Sequence, residues 1–194
     1  MTKLDDAIPY EDLLMVCPRP AVGPAPGLPE GYRWADEPGS MGEEWAALMT
    51  SLGFPFSLEE ARGKWRELQA PDVAARHFFV LGPEGDLAAT CTLCAGKYPE
   101  AAPLRMHWVM TAEGHQRRGL SRTVCRAALA AADGRPVQLS TQAQSWPAVV
   151  LYESLGFRPW ERAWGNVAEG EAKARWARAR KAAAAHGARR LAQL

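Results

Sequence analysis

Residues 107–125 read HWVMTAEGHQRRGLSRTVC. The segment up to Thr111 is apolar and rich in strand-forming side chains. A polar turn follows. From Leu120 the apolar positions return at helical spacing, through Val124, Ala127, Ala128 and Ala131. A strand that leads through a tight turn into a helix leaves backbone N–H groups at the positive end of that helix, which is an anion site. Gly119 has no Cβ to keep a ligand off the backbone. Arg117 and Arg118 add charge and Gln116 adds an amide. Charge-assisted hydrogen bonds of this kind are worth about 1.5–3 kcal/mol each. Taken alone, the stretch reads equally as a basic loop with a glycine at a helix start. It is neither G-x-x-x-x-G-K-[ST] nor G-x-G-x-x-G.

Outward from this turn the chain alternates. Downstream, Asp133-Gly134 ends the helix, and VQLST (137–141) is a strand. Ser145 then caps a helix with Pro147 in its first turn, Gly156 ends it, and 157–164 reads as a last strand. Upstream, LRMHWVMT (104–111) is preceded by a hairpin, HFFVL (77–81) and LAATCTLCA (87–95) around GPEGD. Before it, S-x-x-E boxes at Ser40/Glu43 and Ser57/Glu60 open two successive helices, and 32–35 is a short strand. The order β-α-α-β-β-β-α-β-α-β argues a mixed α/β sheet.

The flanks differ in composition. Residues 1–30 form a Pro-rich arm with six of the fifteen prolines, in which DLLMV (12–16) is expected to form an edge strand or to pack on a neighbour. Residues 167–194 are Ala/Arg-rich and read as a solvated helix that packs Trp176 and scattered alanines on the body. A nucleic-acid tail is the other reading of the same arginines. The whole chain has 194 residues and a formal net charge of +1, which argues against a dedicated nucleic-acid binder. No 18-residue apolar window is present, and the acidic, Pro-broken start lacks the pattern of a signal peptide, so a cytoplasmic protein without a membrane span is expected. Cys91 and Cys94 form a C-x-x-C within a strand, with no second pair to complete a metal site. The four cysteines are expected to be reduced, partly buried thiols, and no metal is expected.

Two motifs together carry a family resemblance. Gln116-Arg117-Arg118-Gly119-Leu120-Ser121 resembles the coenzyme loop [QR]-x-x-G-x-[GA] of the GCN5-related N-acetyltransferases, with Ser121 in place of the usual Gly or Ala. Further on, Ala148, Leu151, Tyr152, Gly156 and Phe157 fit A-x-x-L-Y-x-x-x-G-F. The likeness runs from about Tyr32 to Trp164. It implies a single domain over 31–166 with terminal extensions, built on a twisted, mostly antiparallel sheet flanked by helices. It implies acetyl transfer from acetyl-CoA to a primary amine, on a small molecule or a peptide N-terminus, with acetyl-CoA as co-substrate and a homodimer as the family prior.

The resemblance also implies roles. Val109, Met110 and Thr111 offer backbone groups to the pantetheine arm, with an amide near Met110 as oxyanion donor. Gln116, Arg117, Arg118, Gly119, Leu120 and Ser121 cradle the pyrophosphate. Tyr152 sits beside the thioester sulfur as acid. Many members place Asn where this chain has Ser145, and some place a glutamate base where it has Ser140. His107 is then the candidate base, with a hydrogen-bonded core histidine as the equal alternative, and Glu113 is a weaker candidate. The helices over 40–70 would form the acceptor pocket, and Trp45, Phe54, Phe56 and Trp65 suggest a partly apolar acceptor. A non-catalytic acyl-CoA sensor of the same fold is the second reading.

Overall fold

The computed structural model describes residues 4–20, 27–98 and 100–185. Its strands and helices are β1 (Asp12–Cys17), β2 (Arg33–Trp34), α1 (Gly42–Ser51), α2 (Leu58–Leu68), β3 (Arg76–Leu81), β4 (Leu87–Ala95), β5 (Leu104–Thr111), α3 (Leu120–Ala131), β6 (Val137–Gln142), α4 (Trp146–Ser154), β7 (Arg158–Pro159) and α5 (Glu169–Ala185). The strands follow the order β2-β3-β4-β5-β6-β1-β7. β2–β3, β3–β4, β1–β6 and β1–β7 are antiparallel, and β5–β6 is a parallel pair in register at Leu104–Val137 and Arg105–Gln138. The chain divides into two compact units.

The first unit comprises Val22–Ala95 and Met106–Asp133. β4 is buried along eight successive residues, as expected of a strand covered on both faces. α1 and α2 supply Trp45, Met49, Trp65 and Leu68 to a cluster with Phe79, Leu81, Leu87 and Met110. α3 packs on β3 and β4 through its own buried stripe, which includes Val124, Cys125 and Ala128. The box at Ser57/Glu60 forms: the Glu60 amide donates to Ser57 Oγ at 3.2 Å and the Ser57 amide to Glu60 Oε2 at 2.7 Å. The expected box at Ser40/Glu43 does not. A 3-10 turn at Pro38–Ser40 turns the Ser40 hydroxyl back to the Glu37 carbonyl, α1 starts after Met41, and Glu43 instead takes the Arg62 guanidinium. Pro38-Gly39 favours a tight turn there over a helix entry.

The second unit comprises Thr2–Ala21, Gly96–Arg105 and Gly134–Leu194. Here β1 corrects the edge-strand expectation: it lies between β6 and β7. Its run Leu13–Cys17 is buried at every position, so it needs cover on both faces and both edges. The last strand is also corrected, from 157–164 to the two residues Arg158–Pro159. Pro159 has no N–H to extend a ladder, and the position is an edge where that is tolerated. Gln138 is fully buried; its amide nitrogen donates to the carbonyls of Tyr98 (2.7 Å) and Ala102 (2.5 Å), and its oxygen accepts from the Tyr98 amide at 3.1 Å. That side chain thus ties Tyr98 and Ala102 to β6. α5 packs on β1 and buries Ala172, Trp176, Ala179 and Ala183. Four of its cations, Lys173, Arg175, Arg178 and Arg180, pair with Glu169, Glu171, Glu11 and Glu161. Pro24 and Pro26 of the arm, and His186, Arg189 and Arg190 of the tail, lie outside the described residues.

The four cysteines are free and buried, more deeply than the partial burial expected. Burial pushes the Cys91 thiol well above its ordinary range, so it is unreactive at neutral pH. His77 is stacked on Trp65 with ring centroids 4.7 Å apart, and its Nδ1 lies 3.0 Å from Thr92 Oγ1. Desolvation there lowers its pKa from 6.5 to about 4. The unfolded chain therefore binds a proton between these values that the folded chain refuses. Stability should fall as pH drops from 6.5 towards 4, and this contribution should be absent above 6.5. Urea midpoints measured across that range should show a shallower slope in His77→Gln than in the native chain; an unchanged slope would assign the acid sensitivity to other groups.

Candidate functional site

The turn between β5 and α3 delivers the chain into a helix with no side-chain cap. After β5, a 3-10 turn at Glu113–His115 leads into extended backbone at Gln116. Arg117 and Gly119 then both adopt left-handed backbone, with φ of +64° and +81°. For Arg117 that conformation costs about 1–2 kcal/mol, whereas glycine adopts it freely. Gly119 is the N-cap of α3, so no side chain caps the helix, and its first turn carries no acidic residue. The amides of Gly119, Leu120 and Ser121 have no carbonyl a turn earlier to donate to, and they stand at the positive end of a 12-residue helix. A Cβ added at Gly119 would meet nothing within 4 Å, so the space beside its α-carbon is open. Arg117 and Arg118 are exposed beside it.

The same unit places the other residues of this region. Leu120 is buried in the core, so only its amide is available to a ligand. The Ser121 hydroxyl lies 2.8 Å from Thr111 Oγ1 and ties the first turn of α3 to the end of β5. Val109 is half-buried, and Met110 and Thr111 are buried, so β5 has mainly backbone to offer there. His107 is half-buried with its ring 4.1 Å from that of Trp108.

Trp108 was not singled out by the sequence, yet it has φ +53°, rare for a bulky side chain. Its ring is edge-on to Trp45, Phe54 and Phe56 at 5.6, 5.9 and 6.3 Å, and its carbonyl accepts from Thr90 Oγ1 at 2.9 Å. These contacts hold that backbone conformation in place. An aromatic residue in a strand pattern gives no warning of it.

Ser145 and Tyr152 belong to the second unit. Ser145 is the N-cap of α4 but its side chain makes no capping bond. Its Oγ is buried and has no hydrogen-bond partner. Such an orphan costs about 1–3 kcal/mol. Tyr152 is almost buried. α4 ends in a Schellman motif: the Phe157 amide donates to the Tyr152 carbonyl at 3.1 Å and the Gly156 amide to the Glu153 carbonyl at 3.0 Å. Gly156 carries the left-handed φ of +95° this requires, and the rings of Tyr152 and Phe157 pack edge-on at 6.0 Å. The spacing L-Y-x-x-x-G-F is thus the closure of one helix end, with Tyr152 fixed inside it.

Among the described residues no group of three or more His, Cys, Asp and Glu could hold a metal ion. No described helix is long and apolar enough to cross a membrane.

A family model for the acetyltransferase (GNAT) domain matches residues 74–159, a span that includes both the open turn and the α4 closure. Over that span the chain is similar to a GNAT domain. The fold agrees. A GCN5-related N-acetyltransferase from Sphaerobacter thermophilus aligns with a TM-score of 0.58 at 19% identity, over 78% of this chain and 49% of that one. A tandem GNAT protein from the clavulanic acid biosynthesis pathway aligns at 0.62 and 19%, over 83% and 53%. A GNAT-family protein from Novosphingobium aromaticivorans aligns at 0.50 and 28%, over 79% and 61%. The chain spans only about half to three-fifths of the length of these structures. No curated protein matches the chain.

The open space at Gly119 makes its backbone the only obstacle to a side chain. Gly119→Ala should therefore fold normally and lose about 1–2 kcal/mol in urea denaturation. A much larger loss would mean that the turn is closed by contacts that leave no room for a ligand.

Proposed function

We propose that the chain is an acyltransferase that moves an acetyl group from acetyl-CoA to a primary amine by direct attack in a ternary complex. The observation that carries this reading is the uncapped N-terminus of α3, which holds a helix's positive end and two arginines beside open space and has no acid of its own to neutralise them. A diphosphate fits such a donor set. The buried, unpartnered Ser145 hydroxyl also fits a ligand with amide groups. Acetyl-CoA brings the acyl group already activated as a thioester.

The chain's own residues do the rest on this reading. The amides of residues 119–121, with Gln116, Arg117 and Arg118, bind the diphosphate. The backbone of Val109–Thr111 orients the pantetheine arm, and the Met110 amide stabilises negative charge on the acyl oxygen. An amine of pKa about 10.4 is neutral in roughly one molecule in 2,500 at pH 7, a penalty of about 4.6 kcal/mol that a base must offset. His107 is the proposed base, acting directly or through water. Tyr152 protonates the departing thiolate, a transfer uphill by about 2 kcal/mol from a phenol of pKa about 10 to a thiol of about 8.5. Loss of the proton in concert with C–S cleavage keeps that step accessible. The partly exposed rings of Phe54, Phe56 and Trp108 favour an acceptor whose amine sits on an apolar body.

Ser145 stands where many GNAT enzymes have a pantetheine-binding Asn and Ser140 where some have a glutamate base, and this supports a second reading, a non-catalytic acyl-CoA sensor. Thiol release from acetyl-CoA over a panel of amines separates the two, since a sensor gives none.

Calorimetry should show acetyl-CoA binding in the micromolar range. Gly119→Asp should abolish it, because a carboxylate then faces the diphosphate, while Gly119→Ala retains part of it. Absence of binding by the native chain would refute the proposal. Tyr152→Phe should lower kcat by about 10²-fold or more with little change in coenzyme affinity. Equal rates would exclude Tyr152 as the acid.

A further inference from the structure

His115 sits one residue before the open turn, and its imidazole is held at both ends. Nδ1 lies 2.9 Å from the hydroxyl of Tyr32, next to β2, and Nε2 lies 2.7 Å from Asp86 Oδ2, in the β3–β4 hairpin loop. The Tyr32 ring also packs edge-on against it at 5.6 Å. A carboxylate only accepts, so Nε2 carries a proton and donates to Asp86. In the neutral ring Nδ1 then accepts from the Tyr32 hydroxyl, so both ring nitrogens have partners.

The surrounding backbone is shaped around this contact. A Cβ on Gly82 would come within 2.6 Å of Asp86 Oδ1 and 2.7 Å of His115 Cε1, so any side chain there would have to displace Asp86 or His115. The hairpin loop is closed by the Gly82 amide on the Asp86 carbonyl at 2.8 Å, and the Ala112 amide donates to the Ala88 carbonyl at 2.9 Å just before the 3-10 turn. Two left-handed residues follow within four positions, at Arg117 and Gly119. A segment with that much unfavourable backbone holds its shape only if its ends are fixed. α3 fixes one end, and the Ser121–Thr111 hydroxyl contact reinforces it. His115 fixes the other.

We infer that Tyr32, His115 and Asp86 form a bracket that preorganises the 116–119 turn for the coenzyme diphosphate, with His115 as a positioning residue. This rests on the coenzyme reading above. The ligand then does not have to order the turn on arrival, and the gain appears in affinity. The mechanism assigns the bracket no proton transfer.

The test has two arms. In the ligand-free protein, amide hydrogen exchange at His115 and Gln116, whose amides donate to the Ala112 and Glu113 carbonyls, should accelerate in His115→Ala, while the core amides of β4 stay protected. With acetyl-CoA, His115→Ala and Asp86→Ala should each weaken binding by about tenfold in calorimetry. The double variant should be little worse than either, and kcat at saturating coenzyme should fall less than kcat/KM. Asp86→Asn, which keeps an acceptor oxygen for Nε2–H, should restore most of the affinity. Unchanged exchange in His115→Ala, or native affinity in both alanine variants, would overturn the inference. If exchange accelerates but the native chain binds no acetyl-CoA, the coenzyme reading fails, and with it the assignment of the bracket's purpose, while the bracket's hold on the turn stands.

Discussion

A helix that begins without a cap must find acceptors for its first amides elsewhere. α3 begins at Gly119, in left-handed backbone, with no side chain folded over its end and no acid in its first turn. Ser, Thr or Asp in the usual extended cap conformation would satisfy one of these amides internally, for a gain over glycine of a few tenths of a kcal/mol. The chain forgoes that gain and spends more on a left-handed arginine two residues earlier. The surrounding packing tolerates these costs because β5 and α3 are both anchored in the core, through Met110 on one side and Leu120 and Val124 on the other. What results is a rigid frame around an unsatisfied positive end, and the functional reading follows from that frame.

The second unit shows the same economy. The L-Y-x-x-x-G-F spacing closes α4 through a Schellman motif, and that closure is what immobilises Tyr152. Gly156 also lies against Cys17, where an added Cβ would be 3.4 Å from the sulfur. The side chain proposed as the acid is thus set inside a helix end that folding requires anyway. Ser145 differs: its buried hydroxyl has nothing to bond, and folding gives no reason to keep it.

Periodicity made most of the elements legible. β4, β5 and the start of α3 fall where alternation and helical spacing put them, because each carries a continuous apolar signal. The pattern was less informative where long-range pairing decides. Nothing in DLLMV tells an edge strand from one enclosed on both sides; that depends on β6 and β7, which lie more than a hundred residues away. Ser40 and Glu43 have the right spacing for a capping box, but the competing partner Arg62 is on another helix. In the candidate site, glycine and arginine identity pointed to the turn, and the motif pointed to Tyr152. Trp108's backbone and the His115 bracket stayed hidden, since each is made by contacts among segments far apart in sequence.

A crystal structure of the chain with acetyl-CoA tests the central claim most directly. The account predicts diphosphate oxygens accepting from the amides of residues 119–121 at about 2.7–3.2 Å, with Arg117 or Arg118 alongside. A coenzyme bound elsewhere, with those amides facing only solvent, would contradict it.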